Sequence, residues 1–315
     1  MTDVEIIRLV VILLIVLING FWVVSYLIQK NRDIKACEEI IKKNSLTFYK
    51  AFSKIKDKKK REAVYAVYAF CRYADDLIDE DHDVEGLMNL KNDLDLFAEG
   101  HTPNNFRFRA LRRTTKDFYP KDYDYQPFYD MVKGQKMDLD FKGYETEEEL
   151  LEYCYYVAGT VGLMLIPILS KENMNELTDF AVKLGYAMQI TNILRDIGED
   201  YRNGRIYIPK SVMEKWNYSV SDLASGIIND NFVSMYEYLA QKAESFYKQA
   251  EDELHLFNQD VRFPLGLSVI MYKEIINSCR YANYDVFTKK NFVSDEKKNE
   301  LIQNYISQMK ARLKK

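Results

Sequence analysis

Glycine and proline are scarce, with 12 and 6 in 315 residues. Turns and hairpins draw on both, so a strand-rich architecture and long irregular loops are disfavoured. Histidine is rarer still. His82, His101 and His255 are dispersed and none pairs at metal-ligand spacing, which argues against a zinc or non-haem iron centre. The four cysteines, Cys37, Cys71, Cys154 and Cys279, form no CxxC pair and fit reduced thiols in a cytosolic domain better than a disulfide framework. Charge of one sign is lacking too. A net charge of −4 gives no electrostatic footprint for nucleic acid, so none is expected as a partner. There is no low-complexity linker and no internal repeat.

What remains is apolar and helical in rhythm. Hydrophobic residues make up 47%, and 24 tyrosines suit either helical cores or the walls of a large cavity. Apolar residues recur at helical spacing over 57–80, 84–98, 105–117, 123–138, 146–170, 174–200, 229–256, 262–281 and 295–312. The expectation is one all-α domain over residues 31–315.

Residues 1–30 read differently. Positions 9–28 carry no charge. At 1.5 Å per residue they span about 30 Å, the thickness of a hydrocarbon core. Trp22 and Tyr26 fall where interfacial aromatics belong. A signal peptide would want a basic n-region and a small-residue cleavage site, neither of which is present. The expectation is a single-pass anchor in a lipid membrane. Lys30, Arg32, Lys35, Lys42 and Lys43 follow the span, against Arg8 before it, which places the bulk of the chain in the cytoplasm. A basic run at 54–61 (KIKDKKKR) reads first as a solvated helix start. Its sharper reading is contact with anionic headgroups beside the anchor.

Two aspartate pairs carry the chemistry. In YAVYAFCRYADDLIDE, Asp75 and Asp79 share a helix face, with Arg72 one turn before and Asp76 directed elsewhere. In QITNILRDIGED, Asp196 and Asp200 repeat the spacing and extend a polar stripe through Asn192 and Gln189. Like charges at i, i+4 disfavour a helix, so two such pairs on otherwise apolar helices call for a cation. Carboxylate and amide oxygens suit Mg²⁺, which binds one or two carboxylates together with substrate phosphates. Arg72 and Arg195 would add direct phosphate contacts. The plain alternative is a solvated acidic face.

At these motifs the chain resembles the squalene and phytoene synthase family, over about residues 45–294. Besides CRYADDLIDE and NILRDIGEDYRNGRIYIP, the segment GQKMDLDFKGYETEEELLEYCYYVAGTVG and the later ANYDVFTKKNFVS are similar to the phytoene and dehydrosqualene branch. The resemblance implies a helical isoprenoid-synthase bundle around a central apolar cavity. It implies Asp75, Asp79, Asn192 and Asp196 as Mg²⁺ ligands, with Asp200 completing the second motif and Arg72, Gln189 and Arg195 on substrate. Asn44, Ser45, Leu46 and Thr47 match a stretch that touches a diphosphate, although Asn44 stands where the subgroup often has a cationic histidine. Tyr68, Tyr153, Tyr207 and Tyr284 match tyrosines near the reaction cavity. Gly159 and Gly162 would make room for a prenyl chain or close helix packing, and Gly185 reads as packing.

By that resemblance the reaction joins two prenyl diphosphates head to head through a cyclopropylcarbinyl diphosphate, which then ionises, rearranges and loses a proton. Squalene formation would need NADPH. The second motif looks like the non-reductive branch, so no nicotinamide is expected, and a desaturase is the partner implied downstream. Phe48 and Phe52 lie four apart on one helix face, and an aromatic at Phe52 matches members that make C30 products. The expected substrate is therefore farnesyl diphosphate and the product dehydrosqualene. The alternatives are phytoene from geranylgeranyl diphosphate, squalene, head-to-tail chain elongation, and a catalytically inactive membrane scaffold of the same fold.

Overall fold

The computed structural model describes residues 3–79, 82–139, 141–170, 172 and 174–312. Among these there is no strand. The chain begins with α1 (Asp3–Asn44), then α2 (Leu46–Phe52), α3 (Lys58–Asp79), α4 (Val84–Ala98), α5 (Phe106–Phe118) and α6 (Gln126–Met137). After α7 (Glu147–Cys154) comes a π-helical turn (Tyr155–Gly159), then α8 (Thr160–Leu169) and α9 (Met174–Arg202). The short α10 (Lys210–Lys215) and α11 (Val220–Ala224) lead to α12 (Asp230–Glu253), α13 (Gln259–Tyr281) and α14 (Asp295–Arg312). The expected helices are all found to within three residues at each end. Glu80, the last residue of the first expected helix, lies outside the described residues.

Local chemistry sets many of these boundaries. Asn105 and Asn229 accept from the third backbone N–H of α5 and α12. Thr146 and Glu149 form a capping box at α7, satisfying two donors that a helix start leaves free. The expected helix 146–170 is interrupted by the π turn. There a Cβ on Gly185 of α9 would stand 2.5 Å from the backbone nitrogen of Gly159, and one on Gly162 would stand 2.8 Å from the carbonyl oxygen of Ala181. The glycines let the bent segment lie directly on α9.

α3 and α9 are the central helices. α3 packs against α1, α4, α5, α6 and α8, while α9 packs against α8, α12, α13 and the π turn. α3 and α5 run antiparallel. Lys59 reaches Asp117 at 3.6 Å at one end, and Arg107 stacks on the Tyr73 ring at 4.1 Å towards the other.

α1 is one unbroken helix, so the expected domain boundary at residue 30 falls within it. Its first part is exposed and apolar. Its last part docks through Asp33, Cys37 and Ile41, which are buried at i, i+4 and i+8. Asp33 is 1% exposed and is clamped by Arg109 (2.8 Å) and Arg113 (2.8 Å) of α5, with Gln29 donating at 2.9 Å. Burial alone would raise the Asp33 carboxyl, but these hydrogen bonds outweigh it and hold it below the usual carboxylate range. Burial pushes the Cys37 thiol up to about 12, opposed in part by the charge of Arg107. Asp33 meets α5 between Arg109 and Arg113, whereas Lys43 and Asn44 at the end of α1 come together with Arg72 and Asp75 near the end of α3, so α1 runs parallel to α3 and antiparallel to α5.

Candidate active site

A cavity of about 700 Å³ lies between α3 and α9. That is within the range of small-molecule sites. One end is polar. Arg72 and Asp75 from α3 face Gln189, Asn192 and Arg195 from α9, with Lys290 from the loop before α14. The other end is apolar and runs between Phe48, Phe52, Leu165, Leu169, Phe180 and Phe257. Asn44, Ser45, Leu46 and Thr47 line the same cavity, and Ser45 caps α2 by accepting from the Phe48 amide. Asn44 spends its side-chain amide on the Ile40 carbonyl at 3.0 Å.

On α3, Arg72 pairs with Asp75 at 2.9 Å and also with Asp76, one turn on. Asp76, read from the sequence as directed elsewhere, is thus held by the same guanidinium as Asp75. Asp79 is met by Arg205 at 2.7 Å, which crosses from the segment after α9 and ties the two walls together. Burial, with Asp79 nearby, raises the Asp75 carboxyl to about 7 despite Arg72. Its exposed third opens into the cavity.

On α9, Arg195 pairs with Asp196 at 2.8 Å. Lys290 reaches Asp196 at 3.4 Å and Glu199 at 2.7 Å. Asn192 approaches Gln189 at 3.5 Å. Burial, then Asp196 and Glu199, raise the Asp200 carboxyl to about 8 against the pull of Arg205 and Lys290. Gly198 lets the C-terminal loop close on this helix. Its amide donates to the Val286 carbonyl at 3.2 Å, and a Cβ there would stand 2.6 Å from Phe287 Cα.

The tyrosines separate into three places. Tyr68 lines the cavity beside Phe48, their rings 6.2 Å apart. Tyr153 and Tyr207 stack at 5.1 Å and donate to Asp138 at 3.1 and 2.9 Å, behind Asp79 and Arg205. Burial raises Asp138 to about 6 although Tyr207, Arg205 and Tyr153 favour its anion. Tyr284 instead donates to Glu237 at 3.0 Å and packs on Tyr236, apart from the cavity lining.

Sequence reasoning did not assign to the site Lys43 and Tyr272, which line the cavity, or Lys290, Arg205 and Asp138. Three of them lie inside segments noted for resemblance, but periodicity cannot say which loop residue reaches a distant helix.

Mg²⁺ fits the donor set, although among the described residues no three carboxylates, histidines or cysteines form a single metal cluster. Asp75, Asp76 and Asp79 share Arg72 and Arg205, while Asp196 and Glu199, with Asp200 one turn on, share Arg195 and Lys290, so the acids of the two stripes outnumber the cations beside them. Hard oxygen donors in that state accept a hard cation.

Comparison with known proteins agrees with this geometry. Residues 41–297 match the family model described as squalene/phytoene synthase. A 4,4'-diapophytoene synthase of Staphylococcus haemolyticus is 35% identical over 85% of this chain and 94% of its own. A 15-cis-phytoene synthase of Synechococcus elongatus is also 35% identical, over 82% of this chain and 87% of its own. The crystal structure of a dehydrosqualene synthase in complex with ligand superposes with a TM-score of 0.85 and 44% identity, covering 90% of this chain and 98% of that one. The helices that bear the two aspartate pairs both line this cavity, one through Asp75 and the other through Gln189, Asn192 and Arg195, while Asp79, Asp196 and Asp200 lie outside its lining. The chain belongs to the squalene/phytoene synthase family.

Proposed function

We propose that the protein condenses two farnesyl diphosphates head to head, through presqualene diphosphate, to dehydrosqualene without NADPH. The observation that carries this reading is one cavity with a charged end and an apolar end. The charged end suits two diphosphates, and the apolar end suits their chains. Asp75, Asp79, Asn192 and Asp196 would hold Mg²⁺, with Asp200 beside them. Bound Mg²⁺ would neutralise the departing diphosphate. Arg72, Arg195, Gln189 and Lys290 orient the diphosphates, and the segment of residues 44–47 closes the same end. Tyr68, Phe48 and the aliphatic walls exclude water from the allylic cation.

Chain length follows from α2. The Phe48 and Phe52 rings lie 5.0 Å apart, and Phe48 also meets Tyr272 edge-on at 5.7 Å. Phe52 is buried and lines the apolar end, where its ring would limit tail length. A second reading, phytoene from geranylgeranyl diphosphate, has in its favour a phytoene synthase relative at the same 35% identity.

Residues 9–28 of α1 would cross the membrane, with the catalytic domain on the cytoplasmic side, where prenyl substrates and a downstream desaturase meet. Among the described residues two helical stretches are long and apolar enough to span, and the second, Glu147–Leu169, is half buried in the bundle. The test is product mass from purified full-length protein given Mg²⁺ and an equimolar mixture of the two diphosphates, with and without NADPH. The expected product is the C30 polyene in both cases. A C40 product formed as efficiently, or a C30 product that requires NADPH, would overturn the assignment.

A further inference from the structure

The basic run at residues 54–61 occupies a particular end of the bundle. Lys58 and Lys59 open α3, and their side chains are 75% and 67% exposed. Lys54 and Lys56, in the turn before, are exposed and make no ion pair among the described residues. The acids close by are only loosely engaged, with Lys58 to Glu62 at 3.7 Å and Lys59 to Asp117 at 3.6 Å. Lys60 is the exception, paired to Asp260 at 2.8 Å. Lys116, near the end of α5, is also exposed at this end.

The direction of α1 relates this end to the apolar stretch. Asp33 sits opposite the stretch of α5 between Arg109 and Arg113. From there α5 runs about seven more residues, or about 10 Å, to its end at Phe118. α1 is antiparallel to it, so the same rise leads back to about Tyr26. The end of the bundle that carries the lysines is therefore level with the edge of the uncharged stretch at residues 9–28. Lys30 and Arg32 of α1 join it there. The buried Asp33 clamp and the unbroken helix leave no flexible linker to change that level. The opposite end of α3 carries Asp75 and Asp79.

We propose that Lys54, Lys56, Lys58 and Lys59 dock the catalytic bundle onto anionic lipid headgroups of the bilayer that α1 enters. The inference rests on the reading of α1 as a membrane anchor. It makes the bundle stand with its basic end on the lipid and its diphosphate end towards water. Phe52 lies two residues before Lys54, so the apolar end of the cavity is the end nearest the lipid.

The test uses full-length protein in nanodiscs of phosphatidylcholine alone or of phosphatidylcholine mixed with phosphatidylglycerol, read by amide hydrogen exchange. The expected result is several-fold slower exchange over residues 54–61 in the anionic discs. That protection should disappear at high salt and in the Lys54→Gln, Lys56→Gln, Lys58→Gln, Lys59→Gln variant, which should still turn over detergent-dispersed substrate. Equal exchange in the two lipids, or protection that survives in the variant, overturns the docking while leaving the anchor intact. Failure of the chain to enter nanodiscs of either composition overturns the anchor, and the docking with it.

Discussion

Asp33 and Asp75 are both carboxylates held beside arginine, and their surroundings push them in opposite directions. At the junction of α1 and α5, one buried acid meets two guanidiniums and an amide, and its carboxyl is lowered. At the cavity, Asp75 shares Arg72 with Asp76, has Asp79 one turn away, and is raised to about 7. Asp200 repeats this on α9 at about 8. At the junction the guanidiniums outnumber the acid, and the pairing ties α1 to α5. In the two stripes the acids outnumber the cations beside them, as the proposed Mg²⁺ binding would require. The same residue type thus sits among excess cations at the junction and among excess acids at the proposed metal site.

Removing an acid from either stripe has the largest expected effect. Asp75→Asn or Asp196→Asn should lower turnover by about 10³-fold or more, equivalent to about 4 kcal/mol of barrier, with the fold kept. Steady-state rates at saturating Mg²⁺ check this, and wild-type rates in either variant would remove both residues from the metal site. Asp33→Ala should do the reverse. Leaving Arg109 and Arg113 without their buried partner should cost about 3–5 kcal/mol of stability in denaturant unfolding. Turnover per folded molecule should not change.

pH separates the two regions by sign. A lowered carboxyl stabilises the fold above its unfolded value of about 4 and loses that contribution as pH falls further. A raised carboxyl destabilises the fold as it ionises, between that same value and its folded one. Metal-free protein should therefore melt at progressively lower temperature as pH rises from about 5 to about 8, through the values of Asp138, Asp75 and Asp200. Acid below about 4 should weaken the Asp33 junction. A melting temperature flat across the upper range, or a slope unchanged in Asp75→Asn, would contradict the excess charge assigned to the stripes.

The smallest expected effect is at the apolar end, where charge plays no part. Phe52→Ala should shift the kcat/KM ratio towards geranylgeranyl diphosphate by about tenfold, the scale on which an apolar pocket discriminates chain length. Unchanged selectivity would mean that the ring only packs the core.

The helices were legible because apolar periodicity is local. The two stripes were legible because i, i+4 spacing puts carboxylates on one face whatever surrounds them. The reading ran out where partners come from elsewhere in the chain. Asp33, Cys37 and Ile41 follow helical spacing, a pattern that carries α1 through residue 30 to Asn44. Nothing local marks Arg205 as the partner of Asp79, or Lys290 as the partner of Asp196, because both pairings depend on how loops return to the helices. The π turn depends on the backbone contact of Gly159 with Gly185, which only packing reveals.

The most direct test of the cavity as a cation-dependent diphosphate site is the melting temperature of full-length protein with Mg²⁺, with a non-reactive farnesyl thiodiphosphate, and with both. A ligand that binds only the folded state raises its stability in proportion to occupancy. The account predicts a large upward shift only when both are present, lost in Asp75→Asn and retained in Asp33→Asn. A shift of the same size without Mg²⁺, or one undiminished in Asp75→Asn, would contradict it.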